Sequence, residues 1–110
     1  MNLGLALLEL QQPEEGLKSL QKAAKLQPRD PQAQMNLGLV SMQLGRFRDA
    51  VRAFVALDKA RPDEPEALMH LGIALARDGR PADAVRRLRR AAELAPGNPA
   101  VQVNLGRALG

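Results

Sequence analysis

Residues 31–64, PQAQMNLGLVSMQLGRFRDAVRAFVALDKARPDE, decide the fold. Asp30 followed by Pro31 marks a helix start: the carboxylate can accept from free amides of the first turn, and proline at the first helical position has its φ already set. Leu37, Ser41 and Leu44 then recur at helical spacing. Gly45 supplies the left-handed residue that ends a helix. A second helix starts near Phe47, carries Val51, Phe54 and Leu57 on one face, and is closed by Pro62. The stretch therefore predicts two helices joined by a tight turn.

Outward from it the same pattern returns in both directions. Leu37-Gly38 is matched by Leu3-Gly4, Leu71-Gly72 and Leu105-Gly106, each pair 34 residues from the next. Asn2, Asn36, His70 and Asn104 precede these pairs. Gly16, Ala50 and Ala84 keep the spacing, as do Leu20, Phe54 and Leu88, and Pro28, Pro62 and Pro96. Glu64-Pro65, Gly79 and Pro81 repeat the punctuation, and Asn98-Pro99 opens a fourth unit. A fixed period of this size predicts stacked units that each contact only their neighbours. The units are residues 1–30 (entered part-way into the opening helix), 31–64, 65–98 and 99–110, in one continuous domain. Mid-helix glycine costs about 1 kcal/mol relative to alanine, so Gly4, Gly38, Gly72 and Gly106 imply close helix approach. The expectation is that Gly16, Ala50 and Ala84 face them, small against small.

The 34-residue period, the Leu-Gly pair, the small residue twelve positions later and the closing proline resemble the tetratricopeptide repeat over the entire chain. The resemblance implies an all-α fold: a right-handed superhelical solenoid of antiparallel helix pairs. Three places depart from the family pattern. Gln34 and Gln102 stand where Trp or Leu is frequent and only Leu68 fits; Gln11 replaces the turn glycine found at Gly45 and Gly79; and Leu57 stands where Ala23 and Ala91 are expected. Together these leave the fold secure and imply looser packing around the second unit.

Composition narrows the classes. Of 110 residues, 45% are apolar and 25% charged, the balance of a folded chain. The only rings besides His70 are Phe47 and Phe54, so Leu, Ala, Val and Met must fill the interior. Without cysteine there are no disulfides or thiolate metal sites. Leu3 to Leu8 is too short an apolar run to cross a bilayer and has no basic leader, so the expectation is no membrane insertion and a cytoplasmic location. The net charge is +4, with Arg outnumbering Lys as a GC-rich bacterial genome would produce. Met1 shares a column with Met35 and Met69, and neither end carries a polar capping helix, which reads as a segment excised from a longer protein.

The first helix of each unit is too apolar for one buried face. Beside a stripe such as Leu3-Leu7-Leu10 that can pack on the partner helix runs a second: Met1, Leu5 and Leu8, then Met35, Leu39 and Met42, then Met69, Ile73 and Ala76. It holds all four methionines. The resemblance implies that this side lines a concave groove where protein or peptide ligands bind, and flexible thioethers suit varied apolar partners. The column Asn2, Asn36, His70 and Asn104 borders the stripe, and Arg77 is counted with it. Its amides can grip a peptide backbone, as in the asparagine ladders of some long superhelices of the family, or bond locally within their own helix. His70, with no ligand-type partner at helical spacing, reads as a groove residue rather than a metal ligand. The family also has a clamp for the carboxylate end of chaperone tails. Its Lys and Asn would fall on Met1 and Leu5 or Met35 and Leu39, and its later basic residues on Glu66 and His70 or Ala100 and Asn104. None of these is Lys or Arg, which argues against that clamp.

Arg86, Arg87, Arg89 and Arg90, with Arg77 and Arg80 before them, form the densest charge run. Phosphate binding is one reading. A solvated face with ion pairs along its own helix is the favoured one, since Asp78, Asp83 and Glu93 dilute the run and stacking aromatics are missing. No catalytic constellation exists: Ser19 and Ser41 lack a base, glycines stand singly, and Glu14-Glu15 and Asp63-Glu64 sit at helix starts, where they favour the dipole. The reading is a protein-interaction scaffold, not an enzyme, with no cofactor, metal or small-molecule substrate. The alternatives are a homo-oligomer stacked end to end through Val101, Val103, Leu105 and Leu109, and nucleic-acid binding by the arginine face.

Overall fold

The computed structural model describes residues 13–110, which form six helices and, among the described residues, no strand. They are α1 (Pro13–Leu26), α2 (Pro31–Gln43), α3 (Phe47–Ala60), α4 (Pro65–Arg77), α5 (Pro81–Leu94) and α6 (Pro99–Leu109). A 13-residue helix, a three-residue turn, a 14-residue helix and a four-residue turn complete one 34-residue period. Connections this short force consecutive helices to run antiparallel.

Local chemistry sets the helix ends. Asp30 accepts from the Gln32 amide at 3.1 Å, and Asn98 accepts from Ala100 at 2.9 Å and Val101 at 3.4 Å. Glu64, at the equivalent place before α4, caps without a side-chain bond. After α2, Gly45 takes φ +76° and the Arg46 amide reaches back to the Ser41 carbonyl at 2.8 Å. After α4, Gly79 takes φ +78° and Arg80 reaches Leu75 at 2.9 Å. This closure satisfies carbonyls that a helix end otherwise leaves open.

Packing is between neighbours: α2 on α3 and α4 on α5 most extensively, then α3 on α4, α5 on α6, α1 on α2, and α4 on α6 across the intervening helix. One core cluster joins Ala50, Val51, Phe54 and Leu57 of α3 to Ala67, Leu71, Ala74 and Leu75 of α4 and Ala84 of α5. A second joins Leu68, Ala91 and Val101. Leu57 lies buried within the first cluster, so it does not loosen the second unit as its departure from alanine implied. Gln34 and Gln102 earn their column differently from Leu68: each donates its side-chain amide to the carbonyl of the proline six residues earlier, Gln34 to Pro28 at 3.0 Å and Gln102 to Pro96 at 3.3 Å.

The glycine column meets larger side chains than the small-against-small expectation named. The atoms nearest a Cβ added to Gly38 belong to the Phe54 ring, at 2.4–2.8 Å, and those nearest one added to Gly72 belong to Leu88, at 2.6–3.2 Å. Each glycine thus accommodates the large residue of its partner helix, four positions beyond the alanine expected to face it. Ala50 and Ala84 are fully buried in the core as well.

Candidate functional site

From Met35 to Ala76 the methionine stripe is neither sealed inside nor fully open. Met35 and Met42 are half-buried and pack on the edge of the first core cluster, and Met69 packs on the edge of the second. Between them Leu39 is 37% exposed. Ile73 is half-buried and Ala76 exposed. Met1, Leu5 and Leu8 lie outside the described residues, as do Asn2, Gly4 and Gln11.

The amide column bonds locally in both places described. The Gln32 side chain donates to Asn36 Oδ1 at 3.1 Å, and Asn104 Nδ2 donates to the Ala100 carbonyl at 2.8 Å. His70 differs from the expectation of an isolated residue. Its Nε2 lies 3.8 Å from Glu66 Oε1, one helical turn earlier, and its ring stacks on Phe54. Burial pushes its pKa below the ordinary 6.5, with Glu66 opposing. Glu66 was a visible carboxylate at helical spacing; Phe54, from another helix, was not legible. Among the described residues no group of three or more metal-ligating side chains gathers.

Two hollows touch this face. One of about 210 Å³ is lined by Asp30, Pro31, Gln32, Met35, Leu57, Arg61, Glu64, Glu66 and Ala67. The other, of about 140 Å³, brings together Ile73, Arg77 and Asn104 with Ala76, Leu88, Arg107 and Ala108. Arg77 also lies over the Phe47 ring, 5.9 Å from its centroid. Of the expected groove residues, the first hollow holds Met35 and the second Ile73, Arg77 and Asn104.

The arginine run occupies a different place. A cleft of about 530 Å³ is lined by Arg80, Arg86, Arg87 and Arg90 together with Asp58, Asp63 and Asp83, over a floor of Val55, Leu68, Leu71 and Leu75. Arg86 pairs with Asp83 on its own helix. Arg87 pairs with Asp58 at 4.0 Å and Arg90 with Asp63 at 3.3 Å, both across helices. The ion pairs are therefore partly bridges between units rather than wholly within α5. Carboxylates from α3 and the turn after it offset much of the positive field that a phosphate backbone would need.

On the last helix, Val101 is fully buried against Leu68 and Ala91, so it is not available for end-to-end stacking, and Leu105 is half-buried. Val103 and Leu109 are exposed, by 53% and 57%. No helix among the described residues is long and apolar enough to cross a membrane.

Comparison with known proteins agrees with the helical register. The tetratricopeptide repeat family model matches residues 1–47, 40–99 and 77–109. No curated protein matches the sequence. Among solved structures, MamA 41-end from Desulfovibrio magneticus RS-1 is similar with a TM-score of 0.83 and 24% identity, over 96% of this chain and 60% of that one. YrrB, described as a TPR protein with an unusual peptide-binding site, is similar with a TM-score of 0.79 and 26% identity, over 92% of this chain and 52% of that one. The first TPR of Spaghetti (RPAP3), bound to the HSP90 peptide SRMEEVD, is similar with a TM-score of 0.82 and 18% identity, over 96% of this chain and 84% of that one. The chain spans about three fifths of the length of the MamA structures it resembles. With family matches that run from residue 1 to residue 109 and a helical repeat in the same register, the chain belongs to the tetratricopeptide repeat family.

Proposed function

We propose that the chain is a non-enzymatic protein-interaction scaffold that binds a peptide or helix along the concave side formed by its first helices. The observation that carries this reading is the partial exposure of one apolar stripe, with Leu39 exposed between half-buried Met35, Met42, Met69 and Ile73. Such a surface offers a partner apolar area while remaining packed well enough on the core to hold its shape. Peptide binding by YrrB and by the Spaghetti (RPAP3) repeat supports the same use of the fold. Side-chain contacts supply the grip, because Asn36 and Asn104 already spend hydrogen bonds within their own helices.

The test is selection of binders from a library of acetylated, amidated dodecapeptides, followed by affinity measurement on Leu39→Glu. The charge on the exposed stripe is expected to weaken the selected peptides at least tenfold while helical circular dichroism stays unchanged. Undiminished binding to Leu39→Glu removes this reading.

End-to-end self-assembly is the second reading, supported by exposed Val103 and Leu109 on α6. Light scattering across a dilution series decides it: mass that falls on dilution, and that Val103→Asp lowers further, supports assembly, and a monomer at every concentration removes it.

A further inference from the structure

Successive seams of the solenoid are built from equivalent positions but filled differently. At the seam of α2 and α3 with α4, the Phe54 ring reaches from Gly38 to His70 and stacks on the imidazole. One period later Leu88 replaces Phe54 and Asn104 replaces His70. The shorter side chains leave the hollow of about 140 Å³, with Ile73, Ala76 and Leu88 as apolar lining and Arg77, Asn104 and Arg107 as polar lining.

The two arginines there are unlike most others. Arg46, Arg52, Arg61, Arg80, Arg86, Arg87 and Arg90 each have a carboxylate within ion-pair distance. Among the described residues Arg77 and Arg107 have none, although both line one small hollow. Arg77 rests its guanidinium over Phe47, 5.9 Å from the centroid, which steadies the group without using its N–H donors. Two unneutralised cations beside an apolar floor favour an anion carried on a hydrocarbon stem.

We infer that this hollow receives a glutamate side chain of the bound peptide, its methylenes on Ile73 and Ala76 and its carboxylate between Arg77 and Arg107. Neither arginine stands where the basic residues of a chaperone-tail clamp would fall, and a side-chain carboxylate within the peptide is recognised rather than its end. The inference rests on the groove reading above.

The experiment uses the same dodecapeptide library, whose amidated ends remove the terminal carboxylate. Selected peptides are expected to be enriched in glutamate at one position. Replacing that glutamate by glutamine should cost about tenfold on the wild-type chain and little on Arg77→Gln/Arg107→Gln, both changes being at exposed positions. A double-variant chain that still distinguishes glutamate from glutamine overturns the inference, as do selected peptides without an acidic position. If Leu39→Glu abolishes binding while the arginine variant changes nothing, the groove stands and the carboxylate site falls. If no peptide is selected, or Leu39→Glu binds normally, the groove itself falls. Peptides with a free carboxyl end that bind only when that end is present overturn side-chain recognition in favour of an end clamp.

Discussion

The Phe54 ring lies nearly flat against the His70 imidazole, centroids 5.4 Å apart and planes 17° apart. Phe54 is fully buried, and one edge of its ring occupies the space where Gly38 lacks a side chain. One ring from α3 thus joins α2 to α4, linking two units through a residue that burial alone makes worth about 1.5–3 kcal/mol.

Gly38→Ala and Gly106→Ala are expected to act in opposite directions, although both positions belong to one column. A Cβ at Gly38 would meet Phe54 at 2.4 Å, while one at Gly106 meets nothing within 4 Å. Overpacking costs about 1–3 kcal/mol, against a gain in helix propensity of up to about 1 kcal/mol. Urea unfolding should show Gly38→Ala destabilised and Gly106→Ala equal to or above wild type. Equal shifts for the two would refute the close-approach account.

Ser41→Ala is expected to stabilise the chain. Ser41 is fully buried and, among the described residues, its Oγ has no hydrogen-bond partner. Removing an unsatisfied hydroxyl should raise the unfolding free energy by about 1 kcal/mol. A loss of stability would mean the hydroxyl is in fact bonded.

Stability should fall as pH drops through the histidine range. Burial holds His70 below the ordinary 6.5 in the folded chain, so the unfolded chain takes up its proton first. The contribution is complete above 6.5 and lost as pH falls from there through the lower folded value. His70→Asn, which places in this column the residue found at 36 and 104, is expected to flatten the urea midpoint between pH 7.5 and 5. An unchanged slope in the variant would exclude His70 as its source.

Leu88→Phe copies the filling of the preceding seam. It is expected to occupy the hollow beside Arg77 and Arg107 and to weaken glutamate-bearing peptides at least tenfold, with thermal unfolding little changed because Gly72 stands opposite, as Gly38 does to Phe54. Retained peptide affinity in a folded Leu88→Phe chain would place the carboxylate elsewhere.

Breaking the bridges across the arginine cleft should matter little. Arg87→Gln and Arg90→Gln each remove one ion pair between partly exposed groups, for which about 0–1 kcal/mol is expected in urea. A larger loss would make these pairs part of what holds adjacent units together.

Much of the architecture was legible because its rules act over a few residues. Asp30-Pro31, Asn98-Pro99, Gly45 and Gly79 set helix ends through backbone angles and hydrogen bonds to amides or carbonyls close by, and their recurrence every 34 residues carried the solenoid. Other relationships depend on how helices turn about their axes and on side-chain volumes brought from separate parts of the chain. That is why the Phe54 ring is the nearest neighbour of Gly38, why Val101 is core rather than an end contact, and why a hollow opens where Leu88 succeeds a phenylalanine. Periodicity places a residue on a helix face; only packing in three dimensions decides which neighbour fills the space before it.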